Sequence, residues 1–124
     1  MNSQHHLRAG AGRAVIALDE RCLPVEGFTT VHDPMHVRAL VLESNIRTVI
    51  VSLEITALFD EIRLQMLQRV CEICEVGPEH VWMTTTHSFA GPHLWPAPKP
   101  GEADIVRPGP VSYTHLTLPT MAVV

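Results

Sequence analysis

A histidine follows a run of hydroxyl side chains in Thr84-Thr85-Thr86-His87-Ser88-Phe89-Ala90-Gly91-Pro92-His93. An imidazole there can serve as a general base or as a zinc ligand, because its two ring nitrogens take separate roles. Spacing alone fits a structural histidine equally well. Glu54 closes a run rich in Val and Ile, and reads either as an active-site carboxylate or as a strand-end charge. His32, Asp33 and His36 surround Pro34. They either border a crevice or form a loop entry in which Asp33 bonds local backbone, the second being the simpler reading. Cys71-Glu72-Ile73-Cys74 has CxxC spacing. A redox pair needs a helix N-terminus to lower its thiol pKa, and a zinc site needs a second ligand pair. This pair falls towards a helix end with no other cysteine close by, so core or boundary cysteines are expected. His5-His6 reads as a solvated terminus.

The elements that position these residues follow from hydropathy patterning. Residues 1–12 are polar and glycine-containing and are expected to be loose. Arg13 to Leu18 predicts a strand, and 19–35, with Pro24, Gly27 and Pro34, a loop. His36–Glu43 and Arg47–Thr56 predict two strands joined through Ser44-Asn45-Ile46 as a hairpin. Asp60 is placed to cap a helix, with Ile62, Met66, Val70, Ile73 and Cys74 on its buried face and Gly77-Pro78 as its stop. His80–Thr86 predicts a fourth strand, in which Trp82 and Met83 alternate, so that one of them packs in the core. Strand, helix, strand with short connections makes a βαβ unit of right-handed crossover, its two strands parallel. Ligands gather beyond the carboxyl ends of such strands, and Glu54 and His87 both fall there. Residues 91–110 hold six prolines and predict an extended surface loop, in which Trp95 lines a pocket or covers apolar surface. The fold class is α/β: a mixed sheet with a β-hairpin and a right-handed βαβ unit. One clear helix for a sheet that needs cover on both faces reads as the incomplete N-terminal part of a larger domain.

The composition supports a globular chain and excludes several functions. Of 124 residues, 46% are hydrophobic and 18% charged, with Gly and Pro together 17, which is neither disordered nor collagen-like. Such a length holds one domain with a modest core. Nine Lys and Arg against thirteen Asp and Glu leave a net charge of −4 with no basic cluster, so nucleic-acid binding has no electrostatic support. No apolar run approaches a transmembrane span, and Met1 to His6 has no hydrophobic core of a secretory signal. Three cysteines without an export signal point to reduced thiols in the cytoplasm.

Several of these segments together resemble a family. Val31-His32-Asp33-Pro34, Arg38-Ala39-Leu40-Val41-Leu42, Val51-Ser52-Leu53-Glu54, Thr86-His87 and Gly91-Pro92 are similar, in order and spacing, to the N-terminal domain of neutral/alkaline non-lysosomal ceramidases. The likeness spans residues 10–95, including the helix before the last motif. That motif in the family reads Thr-His-Thr-His-Ser-Gly-Pro. Its first histidine, a zinc ligand, falls on His87. Its second, which contacts substrate, falls on Phe89, whose apolar ring cannot accept the same hydrogen bond; His93 lies nearby without matching the motif. The resemblance implies a zinc-dependent hydrolase of amide bonds, with a small-molecule amide or lipid-like substrate. Zinc would activate the attacking water, while Glu54, Phe89 and His93 are candidate substrate-binding residues. The family's remaining ligands, a His, a Glu and a Tyr, lie far downstream and have no counterpart here, so the chain by itself is expected to be inactive. The catalytic residues are not assigned. The alternative is a non-catalytic small-molecule-binding or structural module of the same fold.

Val111-Ser-Tyr-Thr-His-Leu-Thr-Leu-Pro-Thr120 resembles one reading frame of the transposase adapter used in short-read sequencing libraries. In that frame a barcode, a GTG codon and a stop follow, which Met121 to Val123 and then Val124 fit. The expectation is a partial ceramidase-like domain over residues 1–110 and a non-native tail over 111–124. Tyr113 and His115 then carry no functional information. A natural C-terminal strand is the competing reading.

Overall fold

The computed structural model describes residues 6–93 and the backbone of Leu116–Thr117. His5, the proline-rich loop beyond His93 with Trp95, and the tail apart from its strand pair lie outside the described residues. Four strands form the body of the sheet: β1 (Arg8–Leu18), β2 (Met35–Glu43), β3 (Arg47–Leu53) and β4 (Val81–Thr85). One helix, α1 (Asp60–Cys74), links β3 to β4, and β5 (Leu116–Thr117) pairs antiparallel with Leu18 and Ala17 at the edge of β1. The order across the sheet is β4-β3-β2-β1-β5. β1/β2 and β2/β3 are antiparallel and β3/β4 is parallel, so the expected hairpin and βαβ unit are both present in one mixed α/β sheet.

Patterning explains which face is covered. Val37, Ala39 and Val41 of β2 and Val49, Val51 and Leu53 of β3 alternate inward and are buried. Against them α1 lays Ile62, Met66, Val70 and Cys74, all buried at three-to-four spacing. Full burial of each large member, such as Leu53, Ile55 or Ile62, contributes about 1.5–3 kcal/mol. Ile73 packs against this cluster but is only half-buried. Met83 faces the same cluster while Trp82 points away, settling which of the alternating pair is internal. The helix covers one face only.

The boundaries differ from the patterning in several places. β3 ends at Leu53 rather than Thr56; beyond it Glu54 bonds to β2 and Thr56 to the segment after β4. β4 spans Val81–Thr85 rather than His80–Thr86, with His80 in the turn before it. β1 starts at Arg8, not Arg13, because Gly10 and Gly12 extend the inward row of Ala14 and Ile16, and backbone pairing with Val41 and Ala39 needs no side chain. Asp60 is the first helical residue rather than the cap; Phe59 occupies the cap position without a side-chain bond, and Asp60 pairs with Arg63. The helix stops before Gly77: Glu75 takes the left-handed conformation (φ 54°, ψ 49°) and its amide bonds the Cys71 carbonyl. Gly77-Pro78 instead opens a short 3-10 turn into β4. Among the described residues, no helix is long and apolar enough to cross a membrane.

Candidate functional site

A cleft of about 660 Å³ opens beyond the carboxyl end of β3. The end of β1, the loop between β1 and β2, Ser88 and residues 90–92 form its walls. Phe28, Met35 and Pro92 supply apolar surface, and His32, Asp33 and Glu54 supply polar groups. Of the polar residues around Pro34, His32 and Asp33 line this cleft, whereas His36 lies on β2 beside Glu54 and does not. The size falls within the range of small-ligand pockets.

Glu54 follows β3 directly. Its amide donates to the His36 carbonyl at 2.9 Å, fixing the residue to β2. Its Oε1 accepts from the Arg38 guanidinium and lies 3.3 Å from His36 Nδ1. The Arg38 guanidinium holds the Glu54 carboxyl below the usual carboxylate range, against a smaller opposing effect of burial. Near neutral pH Glu54 is thus an ionised acceptor whose charge is already partnered, and it is poorly suited to donate a proton.

His87 is held in a different way. Its φ of 59° lies in the left-handed region, where a non-glycine residue is strained by about 1–3 kcal/mol and persists only when neighbours fix it. The neighbours are those of Thr56, a buried polar residue just 4% exposed. His87 Nδ1 lies 2.8 Å from the Thr56 carbonyl oxygen. Thr56 Oγ1 donates to the Ser88 carbonyl at 2.6 Å, and the Thr86 amide donates to the Leu53 carbonyl at 2.9 Å. These bonds tie the segment after β4 to the segment after β3. A carbonyl oxygen can only accept, so Nδ1 carries the proton, leaving the Nε2 lone pair as the free coordinating atom. A ring oriented through Nδ1 by a backbone carbonyl is the usual support of a histidine that binds metal through Nε2.

Phe89, 68% exposed, stands edge-on to the His87 ring, with centroids 4.9 Å apart and planes at 70°. Neither ring forms part of the cleft wall, although Ser88, Ala90 and Gly91 between and beyond them do. Glu54 and His87 thus sit at neighbouring strand ends, but only Glu54 faces the cleft. His93 is engaged elsewhere: its amide donates to Glu26 Oε2 at 2.5 Å and its Nδ1 lies 2.9 Å from Glu26 Oε1. Glu26 and Gly27 form a tight turn (φ 49° and 84°) closed by paired bonds between Val25 and Phe28. This contact straps the end of the cleft wall to the β1–β2 loop.

Thr56 and Glu26, which hold the two histidines, were not singled out by patterning. Thr56 ends the Val/Ile-rich run, and a hydroxyl at the end of a buried strand is a signal that could have found it. Glu26 has no such signal, because its partner is distant in sequence. The CxxC pair behaves as core and boundary: Cys74 is buried, Cys71 is partly exposed, and burial pushes the Cys74 thiol up, away from reactivity.

His87 fits a single metal ligand, but no group of three His, Cys, Asp or Glu side chains able to hold a metal ion converges among the described residues. Comparison of the chain with family models, with curated proteins and with solved structures gives no match.

Proposed function

We propose that this chain is the N-terminal part of a ceramidase-like, zinc-dependent amide hydrolase, in which His87 supplies one metal ligand. The observation that carries the reading is the bond from His87 Nδ1 to the Thr56 carbonyl, which leaves Nε2 free and aimed by a fixed backbone. Bound zinc would supply an activated water for attack on an amide carbonyl. Three protein ligands are the norm for such a site, so the rest would come from polypeptide beyond the described residues. In this reading the residues of the chain do the following. Thr56 orients His87. Arg38 keeps Glu54 ionised as a hydrogen-bond acceptor at the cleft. Phe28, Met35 and Pro92 offer an apolar wall to a small amide or lipid-like substrate.

A second reading, a non-catalytic binding module of the same fold, is favoured by Phe89. An exposed apolar ring stands beside His87 where the resembled family carries a hydrogen-bonding histidine.

The test is hydrolysis of N-acyl amides by the gene product that extends past residue 110, with and without zinc. The hydrolase reading expects zinc-dependent turnover that His87→Ala abolishes. Turnover unchanged by His87→Ala would overturn it, and absent turnover in a product that lacks the downstream ligands would favour the binding module.

A further inference from the structure

Two residues of the cleft wall approach each other more closely than two side chains could. Met35 opens β2, Gly91 lies in the segment after β4, and both line the cleft. A Cβ on Gly91 would stand 2.7 Å from Met35 Sδ, 3.7 Å from its Cγ and 3.8 Å from its Cε. Non-bonded heavy atoms pack best at about 3.5–4.0 Å, so any side chain at position 91 displaces the sulfur. The backbone of Gly91 lies outside the positive-φ region. Glycine is needed there for space and not for conformation.

Both backbones at this contact are fixed. Met35 is held in register with Ile16 on β1. The segment that carries Gly91 is tied on either side. The Ser88 carbonyl accepts from Thr56 Oγ1 at 2.6 Å. The His93 amide donates to Glu26 Oε2 at 2.5 Å, and its ring Nδ1 lies 2.9 Å from Glu26 Oε1. Pro92, between these anchors, is buried. What can move is the thioether, which turns about three side-chain bonds. On its inner side Met35 packs against the buried core, where close packing leaves no room for a displaced group. The open direction is the cleft.

We propose that Gly91 and Met35 form a gauge that sets the length of apolar chain the cleft accepts. Glycine lets the thioether lie back against the wall, and the position of the thioether limits the space left for a ligand. The ligand class is an uncharged amphiphile whose alkyl chain lies along Met35, Phe28 and Pro92. Its polar end donates a hydrogen bond, as an amide N–H does, because Glu54 on the same wall is an acceptor held by Arg38. The gauge rests on the cleft being the ligand site proposed above, and not on zinc.

Isothermal titration calorimetry of the 124-residue chain in metal-free buffer, with N-alkylacetamides from butyl to decyl, tests this. In the wild type each added methylene should tighten binding about fourfold, equivalent to about 0.8 kcal/mol, until the cleft is full. Gly91→Ala should reach its ceiling about one or two methylenes earlier, losing about tenfold for the longest chain that the wild type holds well. Met35→Ala should move the ceiling to longer chains, and it reads the gauge by itself should Gly91→Ala fail to fold. The double variant should follow Met35→Ala, because without the thioether the new methyl group has nothing to displace. A ceiling at the same length in the wild type and Met35→Ala would overturn the gauge while leaving the cleft as a ligand site. A wild type that binds none of these amides would overturn both. Neither result bears on His87, whose zinc is counted separately.

Discussion

His87 and Thr56 are joined through the backbone: the imidazole Nδ1 lies 2.8 Å from the Thr56 carbonyl oxygen, across the ends of two parallel strands. The bond decides the tautomer of His87. It follows that the neutral ring carries its proton on Nδ1. Long-range ¹H–¹⁵N NMR of the chain should therefore show the Nδ1–H tautomer for His87, and a Nε2–H tautomer would mean the ring is turned the other way.

Thr56 should matter for stability beyond its size. Thr56→Val keeps the shape but deprives the Ser88 carbonyl of its donor. Loss of one partner of a buried bond costs about 1–3 kcal/mol. Urea unfolding should show a lower midpoint with an unchanged m-value. A neutral outcome would mean that water replaces the hydroxyl without cost.

Arg47 closes the C-terminal end of α1 from a distance. Its Nη1 donates to the Cys74 carbonyl at 2.6 Å while its Nε donates to Glu43 at 2.5 Å. The helix has no basic residue in its own last turn, so Arg47 supplies the cation that complements the dipole there. Arg47→Met is expected to destabilise by about 1–2 kcal/mol, since a charge-assisted bond to an otherwise unpaired helix carbonyl is lost. Arg8→Met should cost far less, because Arg8 pairs with Glu43 while largely exposed. Equal thermal midpoints for the two variants would contradict this.

Glu54 gives a pH dependence of definite sign. Its folded pKa is lowered from 4.5 by the Arg38 guanidinium. A depressed carboxyl contributes stability that is present above the unfolded pKa and lost as pH falls through the folded value. Stability should therefore decline as pH drops below 4.5, and Glu54→Gln should flatten part of that decline. Glu43, lowered in the same direction by Arg8 and Arg47, contributes to the remainder. A Glu54→Gln curve parallel to wild type below 4.5 would show that the pair with Arg38 does not persist in solution.

The strand pairing was largely legible in the sequence because alternation and the 3.6-residue period state which face is buried. Val49-Ile50-Val51 and Ile62, Met66 and Val70 declare themselves by type and spacing alone. The start of β1 was not legible, since Gly10 and Gly12 carry no side chain to alternate and lack strand propensity, yet they share the ladder with Val41 and Ala39. The helix stop was displaced because Glu75 took the left-handed turn that composition assigned to Gly77. At the site, His87 and Glu54 could be placed at adjacent strand ends from order alone. What no pattern gave is where each points. Glu54 was drawn to Arg38 and His36 across the hairpin, and His93 to Glu26, by partners separated from them by loops.

The proposed role of His87 as a metal ligand is tested most simply by metal content. The gene product that extends past residue 110 should be purified without added metal and its zinc counted per chain, beside His87→Ala and His93→Ala. Near-stoichiometric zinc is expected in the wild type, with zinc retained in His93→Ala, whose ring is engaged by Glu26, and a loss of at least about tenfold in zinc affinity in His87→Ala. Full zinc in His87→Ala would contradict that role.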